Sequence, residues 1–256
     1  MKSLVAAAVL CVSSAVCHAQ TPAWSGTANI NVNLAVSQQN SQSILLFANA
    51  TKRLNTNSRL DLGMLYSFAR QSSGNPRVTT TSDDRWSFTS HYDFPSSTSK
   101  YGFVDQRFER NAVNQLSLRS ITTAGYGYYA IRTPGVIKNR RVGDPGDASW
   151  QITTGFSFSN ESYANGLGSS HSTGVSVGSK FERILSNRMT LTHDFTFIPA
   201  FDDLTDYFLV SNLSVGVPIA GRASLNFSMI NDFDSTPANG ARKDNYRYAL
   251  TFGYRY

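Results

Sequence analysis

The sequence has little cysteine and no long hydrophobic segment after its opening residues. Its only two cysteines, Cys11 and Cys17, both lie near the start. A later chain without cysteine has no disulfide scaffold, no thiolate metal site and no thiol nucleophile. No apolar run near 18 residues follows the opening stretch, so the sequence predicts no transmembrane helix.

The opening stretch has the composition of a secretory signal peptide. Lys2 supplies the positive start, and residues 4–16 form a small and apolar run that is too short to span a bilayer. Small residues precede a cleavage position between Ala19 and Gln20. The sequence therefore predicts an exported protein, with a signal peptide at 1–19 and one domain at 20–256.

Charge and motifs give no sign of a nucleic-acid partner or a cofactor. The net charge is +6, but the basic residues are spread along the chain and form no cluster. The glycine-containing stretches at 125–127 and 166–168 are not followed by a helical pattern, as a phosphate-binding loop would require. We expect no nucleic acid, no cofactor and no metal.

Alternation of polar and apolar residues is the dominant pattern. In NINVNLAV, residues 29–36, Asn29, Asn31 and Asn33 share one face of a strand, and aliphatic residues share the other. The same alternation occurs in 60–68, 86–94, 150–158, 207–217 and 246–256, and weaker segments lie near 43–52, 99–108, 115–131, 172–183, 188–198 and 222–232. The phase is ambiguous in 43–52 and 99–108. The pattern predicts about twelve strands of roughly ten residues or more.

Strand length and face chemistry predict a membrane barrel rather than a soluble sandwich. Soluble strands average about five or six residues, whereas a tilted bilayer-spanning strand needs about nine to eleven. Aromatic residues near strand ends on the apolar face are typical of interfacial girdles. They are Trp24, Trp86, Phe94, Trp150, Tyr207, Tyr246 and Tyr256. We therefore predict an all-β fold, a transmembrane antiparallel β-barrel in the outer membrane of a Gram-negative envelope, in contact with lipid and lipopolysaccharide.

Connection lengths predict the orientation of this barrel. Outer-membrane barrels have short periplasmic turns and longer external loops. With the N-terminus on the periplasmic side, the predicted inner turns are 55–58, 95–99, 184–187 and 218–221, and the predicted outer loops are 71–83, 160–171, 199–206 and 232–245. A short outer loop at 38–41 and a long inner segment at 133–149 depart from this rule. The final strand, ending at Tyr256, is similar to the signal that the barrel-assembly machinery recognises.

The polar face carries charges of both signs. The candidate lumen-lining residues are Arg59, Asp61, Arg85, His91, Asp93, Arg119, Arg188, Asp194, Arg247 and Arg255, together with Lys180, Glu182 and Asp232. Buried charges are tolerated when paired, so this balanced set predicts either an ion-paired plug or a narrow pore. The slight basic excess favours anions if the pore conducts. His91 and Asp93 are interpreted as part of a satisfied interior network, with a proton-sensitive element as the alternative.

Several short motifs resemble the YdiY-like family of salt-induced outer-membrane proteins. They are Trp24-Ser25-Gly26, Tyr92-Asp93-Phe94, Tyr101-Gly102-Phe103, Arg119 followed by Ala124-Gly125-Tyr126-Gly127-Tyr128, Asn231-Asp232-Phe233-Asp234, Pro237, Asp244 and Tyr254-Arg255-Tyr256. The resemblance covers most of the chain after residue 20, and the insertion at 133–149 departs from it. It implies a barrel fold and an outer-membrane location. It implies no reaction and no ligand.

The leading functional prediction is a non-enzymatic envelope protein, with a narrow pore for ions or small solutes as its most specific form. The first alternative is a hydrolase at the rim, acting on lipid or peptide. It would draw on His171, on His193 beside Asp194, or on acidic residues in the outer loops. Those acidic loops could also bind a divalent cation, although a solvated loop is the favoured interpretation. The second alternative is a closed structural or adhesive barrel.

Overall fold

A computed structural model describes residues 24–35, 40–54, 58–74, 76, 78–95, 97, 99–132, 148–164, 166, 168–185, 189–237 and 242–255. Twelve strands form one closed antiparallel barrel, in which every strand pairs with its sequence neighbours and β1 closes onto β12. The strands are β1 (Ser25–Ala35), β2 (Asn40–Arg53), β3 (Arg59–Ser73), β4 (Val78–Pro95), β5 (Lys100–Asn111), β6 (Leu116–Arg132), β7 (Ala148–Tyr163), β8 (Ser169–Ile184), β9 (Thr190–Pro199), β10 (Tyr207–Ala220), β11 (Ala223–Asp234) and β12 (Asp244–Arg255). The described part of the chain contains no helix with the length and apolar character to cross a membrane.

This architecture confirms the predicted twelve-stranded antiparallel barrel. The strands are 10 to 18 residues long. Because the sheet closes on itself, it leaves no unpaired strand edge. Large apolar side chains cover the outside. Tyr126 and Phe156 are each 73% exposed, and Phe252 is 68% exposed.

The two ends of the barrel differ in their connections. We call the end where β1 begins and β12 finishes the terminal end, and the opposite end the loop end. At the loop end the strands continue further than the sequence predicted. β3 runs to Ser73 and β4 starts at Val78, so the connection predicted at 71–83 is only 74–77. The loops predicted at 160–171 and 232–245 are likewise shorter, at 164–168 and 235–243, because polar strand ends that project beyond an apolar belt resemble loops in sequence. The loop predicted at 199–206 is confirmed to within one residue, at 200–206.

The terminal end confirms the predicted turn positions to within a few residues. β10 continues through Ala220 and β11 begins at Ala223, so the turn predicted at 218–221 is only 221–222. β6 ends at Arg132 and β7 starts at Ala148. The long inner segment predicted between them, residues 133–147, lies outside the described residues.

Pairing register resolves the two segments of ambiguous phase. Phe47 pairs with Asn29 and Leu45 pairs with Asn31, so both apolar side chains share the lumen face with the asparagines. In β5, Phe103 pairs with Asp93 and is only 1% exposed. The lumen is therefore less uniformly polar than alternation alone predicts.

Glycines in the family-like motifs make room for aromatic rings of neighbouring strands. On the lumen face, a Cβ added at Gly127 would lie 2.1 Å from Cζ of Tyr101. On the outer face, a Cβ at Gly102 would lie 2.2 Å from Cε2 of Phe94. Each ring covers the glycine opposite it, a pairing known to protect glycine within a strand. The Tyr-Gly-Phe and Gly-Tyr-Gly motifs thus encode cross-strand packing.

The seam between the first and last strands is short. Among the described residues, β1 pairs with β12 from Thr27–Arg255 to Ile30–Phe252, whereas it pairs with β2 along its whole length, from Ser25 to Ala35. In the lumen beside this seam, the amide of Asn226 donates a hydrogen bond to Asn29 (2.7 Å). Side-chain bonds of this kind explain why asparagine suits the inner face of β1.

Candidate functional site

A network of charged side chains crosses the lumen between opposite walls. Its members are Asp83 and Arg85 on β4, Arg107 and Glu109 on β5, Arg119 on β6, Glu161 on β7, Asp232 and Asp234 on β11, and Arg247 on β12. We call this set the transverse network. In a ring of twelve strands, β5 and β11 are diametrically opposite. Each link from β4, β5 or β6 to β11 therefore spans the lumen.

One half of the transverse network is rich in arginine. Asp232 Oδ2 accepts hydrogen bonds from Nη1 of Arg85 and from Nη2 of Arg247, both at 2.5 Å. Nη2 of Arg107 lies 3.6 Å from the other oxygen, Oδ1. Three guanidinium groups therefore share one carboxylate. We call Arg85, Arg107, Arg247 and Asp232 the arginine-rich half.

The other half is rich in carboxylates. Arg119 donates to Glu161 (2.5 Å), to Glu109 (2.9 Å) and to Asp234. Its guanidinium carbon also lies 4.7 Å from the centroid of the Phe208 ring, a cation–π contact inside the barrel. One arginine thus holds three acidic side chains from three different strands.

Burial makes this network costly to disturb. The side chain of Arg119 is 7% exposed, and that of its partner Glu109 is 13% exposed. Glu109 also accepts two hydrogen bonds from Arg107, from Nε (2.9 Å) and from Nη2 (2.6 Å), which joins the two halves. Removing one partner from such a set leaves an uncompensated charge out of water. The transverse network therefore forms a stable connection between opposite walls of the barrel.

A second charged cluster lies nearer the terminal end. Nε of Arg59 lies 2.9 Å from Asp61, and its Nη2 lies 3.3 Å from Asp93, which also accepts a hydrogen bond from the backbone N–H of Arg59 (2.9 Å). Nδ1 of His91 lies 2.5 Å from Asp105, and its ring stacks on Phe103 with centroids 5.7 Å apart. Nε2 of His91 lies 4.0 Å from Asp93 and has no hydrogen-bond partner among the described residues, so the interior network predicted around His91 and Asp93 is only partly satisfied.

Cavities follow the lumen on both sides of the transverse network. A cavity of about 380 Å³ towards the terminal end is lined by Arg59, His91, Lys180 and Asp194. A second, of about 180 Å³, lies within the network and shares Arg107 as a wall with the first. A third, of about 380 Å³ towards the loop end, shares Arg119 with the second. These spaces can hold water, because each exceeds one water's volume and has polar walls.

The remaining residues predicted from the sequence lie wholly or partly outside the described part of the chain. Arg188, Ala19 and Gln20 lie outside the described residues, as does Tyr256. Arg255 is described as part of β12, but its side chain is not.

The sequence pattern did not predict several members of the transverse network. They are Asp83, Arg107, Glu109, Glu161 and Asp234, and Asp105 was missed in the second cluster. Arg107 and Glu109 lie two residues apart at the end of β5, where phase was ambiguous. The alternation Asp105, Arg107, Glu109 was the one sequence signal that could have placed them on the lumen face.

His193 and Ser211 form a polar pair on the outer face. His193 lies outside the barrel, as the pattern predicted, and its Nε2 is 3.2 Å from Oγ of Ser211 on the next strand. Asp194 points to the opposite face, where it lines the cavity near the terminal end. The pair therefore has no carboxylate from that position to orient the imidazole.

The acidic loop residues are engaged locally. Asp203 Oδ1 accepts hydrogen bonds from the hydroxyl (2.6 Å) and the backbone N–H (2.8 Å) of Thr205. These bonds lower the pKa of the Asp203 carboxyl below its usual value, because they stabilise the charged form. Within the described residues, no three histidine or acidic side chains are grouped closely enough to hold a metal ion.

Comparisons with known proteins place the chain in a family. Two solved barrels resemble it in shape. The translocator domain of autotransporter NalP from Neisseria meningitidis has 12% identity and a TM-score of 0.44, with 100% of this chain and 96% of that chain covered. The beta domain of the Bordetella autotransporter Brka has 12% identity and a TM-score of 0.39, with 91% and 97% covered. A search of curated proteins finds no match. The family model described as "Protein of unknown function, DUF481" matches residues 29–256, so the chain belongs to this family, with which the YdiY-like resemblance agrees.

Proposed function

We propose that this protein is a narrow pore for small ions and solutes in the outer membrane of a Gram-negative envelope. The observation that carries the proposal is the succession of adjacent polar cavities along the lumen, with Arg107 and Arg119 each lining two of them. A lumen packed solid would leave no such spaces. In the proposed pore, the transverse network is the constriction between them.

The outer surface supports the membrane location. Exposed aromatic and aliphatic residues surround the barrel on the faces that alternate with the lumen, and β12 alone presents Tyr246, Tyr248, Leu250, Phe252 and Tyr254, each at least 52% exposed. A soluble protein rarely exposes an apolar surface of this extent. A closed barrel satisfies its backbone hydrogen bonds internally, as a bilayer requires.

A closed structural barrel would not conduct ions, so conductance distinguishes it from the proposed pore. In a planar bilayer we expect the refolded protein to show a small, stable conductance. The double variant Arg85→Ser with Asp232→Ser removes one bridge between β4 and β11, so its conductance should rise several-fold. Wild-type protein that is folded, as shown by heat-modifiable gel mobility, and still silent would contradict the pore.

A matched control uses an ion pair between the outward-facing sides of β4 and β5. Nη1 of Arg110 lies 3.5 Å from Asp84, and the register pairs Arg110 with outward-facing Trp86. Arg110 borders the central cavity but is not a member of the transverse network. The double variant Arg110→Ser with Asp84→Ser therefore makes the same chemical change and leaves the links across the lumen intact. Its conductance should match the wild type. An equal rise in both double variants would mean that the transverse network does not set the narrowest point.

Lipid hydrolysis is a second candidate, favoured by the contact between His193 and Ser211 on the outer face. A serine nucleophile needs its histidine held by a third group, and Asp194 lies on the other face. We therefore expect fatty-acid release from phosphatidylethanolamine vesicles to stay at background for the wild type and for Ser211→Ala. Release by the wild type that disappears in Ser211→Ala would establish the enzyme instead.

A further inference from the structure

The arginine-rich half contains guanidinium N–H groups that no described residue accepts. Arg247 uses only Nη2, on Asp232, whereas its Nε and Nη1 are buried and have no hydrogen-bond partner in the described part of the chain. Nε of Arg85 is also buried and has no hydrogen-bond partner among the described residues, because Asp83, at 3.6 Å, is too far away to accept a hydrogen bond. Buried donors of charged groups are normally satisfied, so these three N–H groups need an acceptor.

The cavity beside them is positively charged. Seven cationic residues line it, namely Arg85, Arg107, Arg110, Arg119, Arg242, Lys243 and Arg247, against three anionic ones, Glu109, Asp232 and Asp234. Asp83 and Glu161, which balance the network elsewhere, are not part of its wall. The cavity volume of about 180 Å³ is enough for a small polyatomic ion with some of its water.

We propose that this cavity binds a small oxyanion, of the phosphate, sulfate or carboxylate class. The anion would accept hydrogen bonds from the free Nε and Nη1 of Arg247 and from Nε of Arg85. These free donors lie on different edges of two guanidinium groups. An oxyanion has several acceptor oxygens that can meet donors from different directions, whereas a halide is a single acceptor, which favours an oxyanion. Its charge would also offset the crowding of three arginines on Asp232. Selection of anions during conduction rests on the proposed pore, whereas the binding itself does not.

The test is calorimetric titration of detergent-solubilised protein with inorganic phosphate, and separately with chloride. We expect saturable phosphate binding by the wild type, weakened at least tenfold in Arg247→Gln. Arg247→Lys keeps the charge but loses the planar set of directed guanidinium donors, so it should retain electrostatic attraction but lose the preference for phosphate over chloride. Arg222→Gln, an exposed arginine in the turn between β10 and β11, is the control and should bind like the wild type.

Each outcome separates the site from the pore. No saturable phosphate binding by folded wild-type protein, or equal binding by Arg247→Gln, overturns the site. If Arg247→Gln fails the heat-modifiability check, Arg247→Lys decides through its phosphate-to-chloride preference, and an unchanged preference overturns the role assigned to the free donors of Arg247. Phosphate binding without conductance would support the site and contradict the pore. Conductance without phosphate binding would support the pore and contradict the site.

Discussion

Replacing Arg119 with methionine should lower the free energy of unfolding by about 3–5 kcal/mol, the typical cost of removing one partner from a buried ion-paired set. Methionine keeps much of the side-chain length and apolar contact, so the loss comes mainly from charge. Glu109 would keep Arg107, but Asp234 would lose its ion-pair partner. Glu161 would retain only neutral hydrogen-bond donors, the hydroxyls of Tyr163 and Ser170.

The measurement is reversible urea unfolding in lipid vesicles, followed by tryptophan fluorescence. Arg110→Met is the matched control, because Arg110 has one ion pair and a side chain that is 40% exposed. Exposed pairs contribute about 0–1 kcal/mol, so this control should unfold close to the wild type. A loss below about 1 kcal/mol for Arg119→Met would show that water reaches the transverse network and screens it.

An arginine placed on the outer face should reveal the bilayer directly. Leu250 lies midway along β12, is 54% exposed and pairs with Phe227 on β11. Leu250→Arg should cost about 2–4 kcal/mol, the range measured for arginine on the lipid face near the bilayer midplane. The same vesicle-based unfolding experiment measures it.

Leu204→Arg is the control for this substitution. Leu204 is 72% exposed in the connection between β9 and β10, beyond the strands. The identical change there should have an effect near zero, since water solvates the new charge. Equal effects at both positions, or no effect at Leu250, would contradict a lipid-facing belt. A large effect at Leu250 alone would also fix the depth of the barrel in the membrane.

The fold was accessible from sequence because a barrel wall repeats one rule. The side chains of each strand point alternately to the lumen and to the outside. The polarity of Asn29 and Ile30 alone therefore assigns them to opposite faces, without information on the neighbouring strands. The rule weakens where the lumen itself is apolar. Phe47 and Phe103 lie inside against other side chains, and a pattern based on polarity could not assign them. Loop lengths were wrong for a related reason, since polarity does not distinguish a projecting strand such as 78–83 from a loop.

The transverse network was only partly accessible. Arg119 and Asp234 are 115 residues apart in sequence, and their contact depends on barrel circumference and strand stagger rather than on local pattern. The sequence predicted charges of both signs in the lumen, but not which walls they join. The asymmetry between three arginines on Asp232 and three carboxylates on Arg119 follows from that geometry alone.

The short ladder between β1 and β12 has a consequence for assembly. These strands are the first and last of the barrel, so closing the ring brings together residues more than two hundred positions apart. The entropy lost in joining such distant segments is recovered over few backbone hydrogen bonds. An open β1–β12 seam would expose two strand edges that could pair with other strands. We therefore expect this seam to be the line at which the wall of the barrel opens most easily.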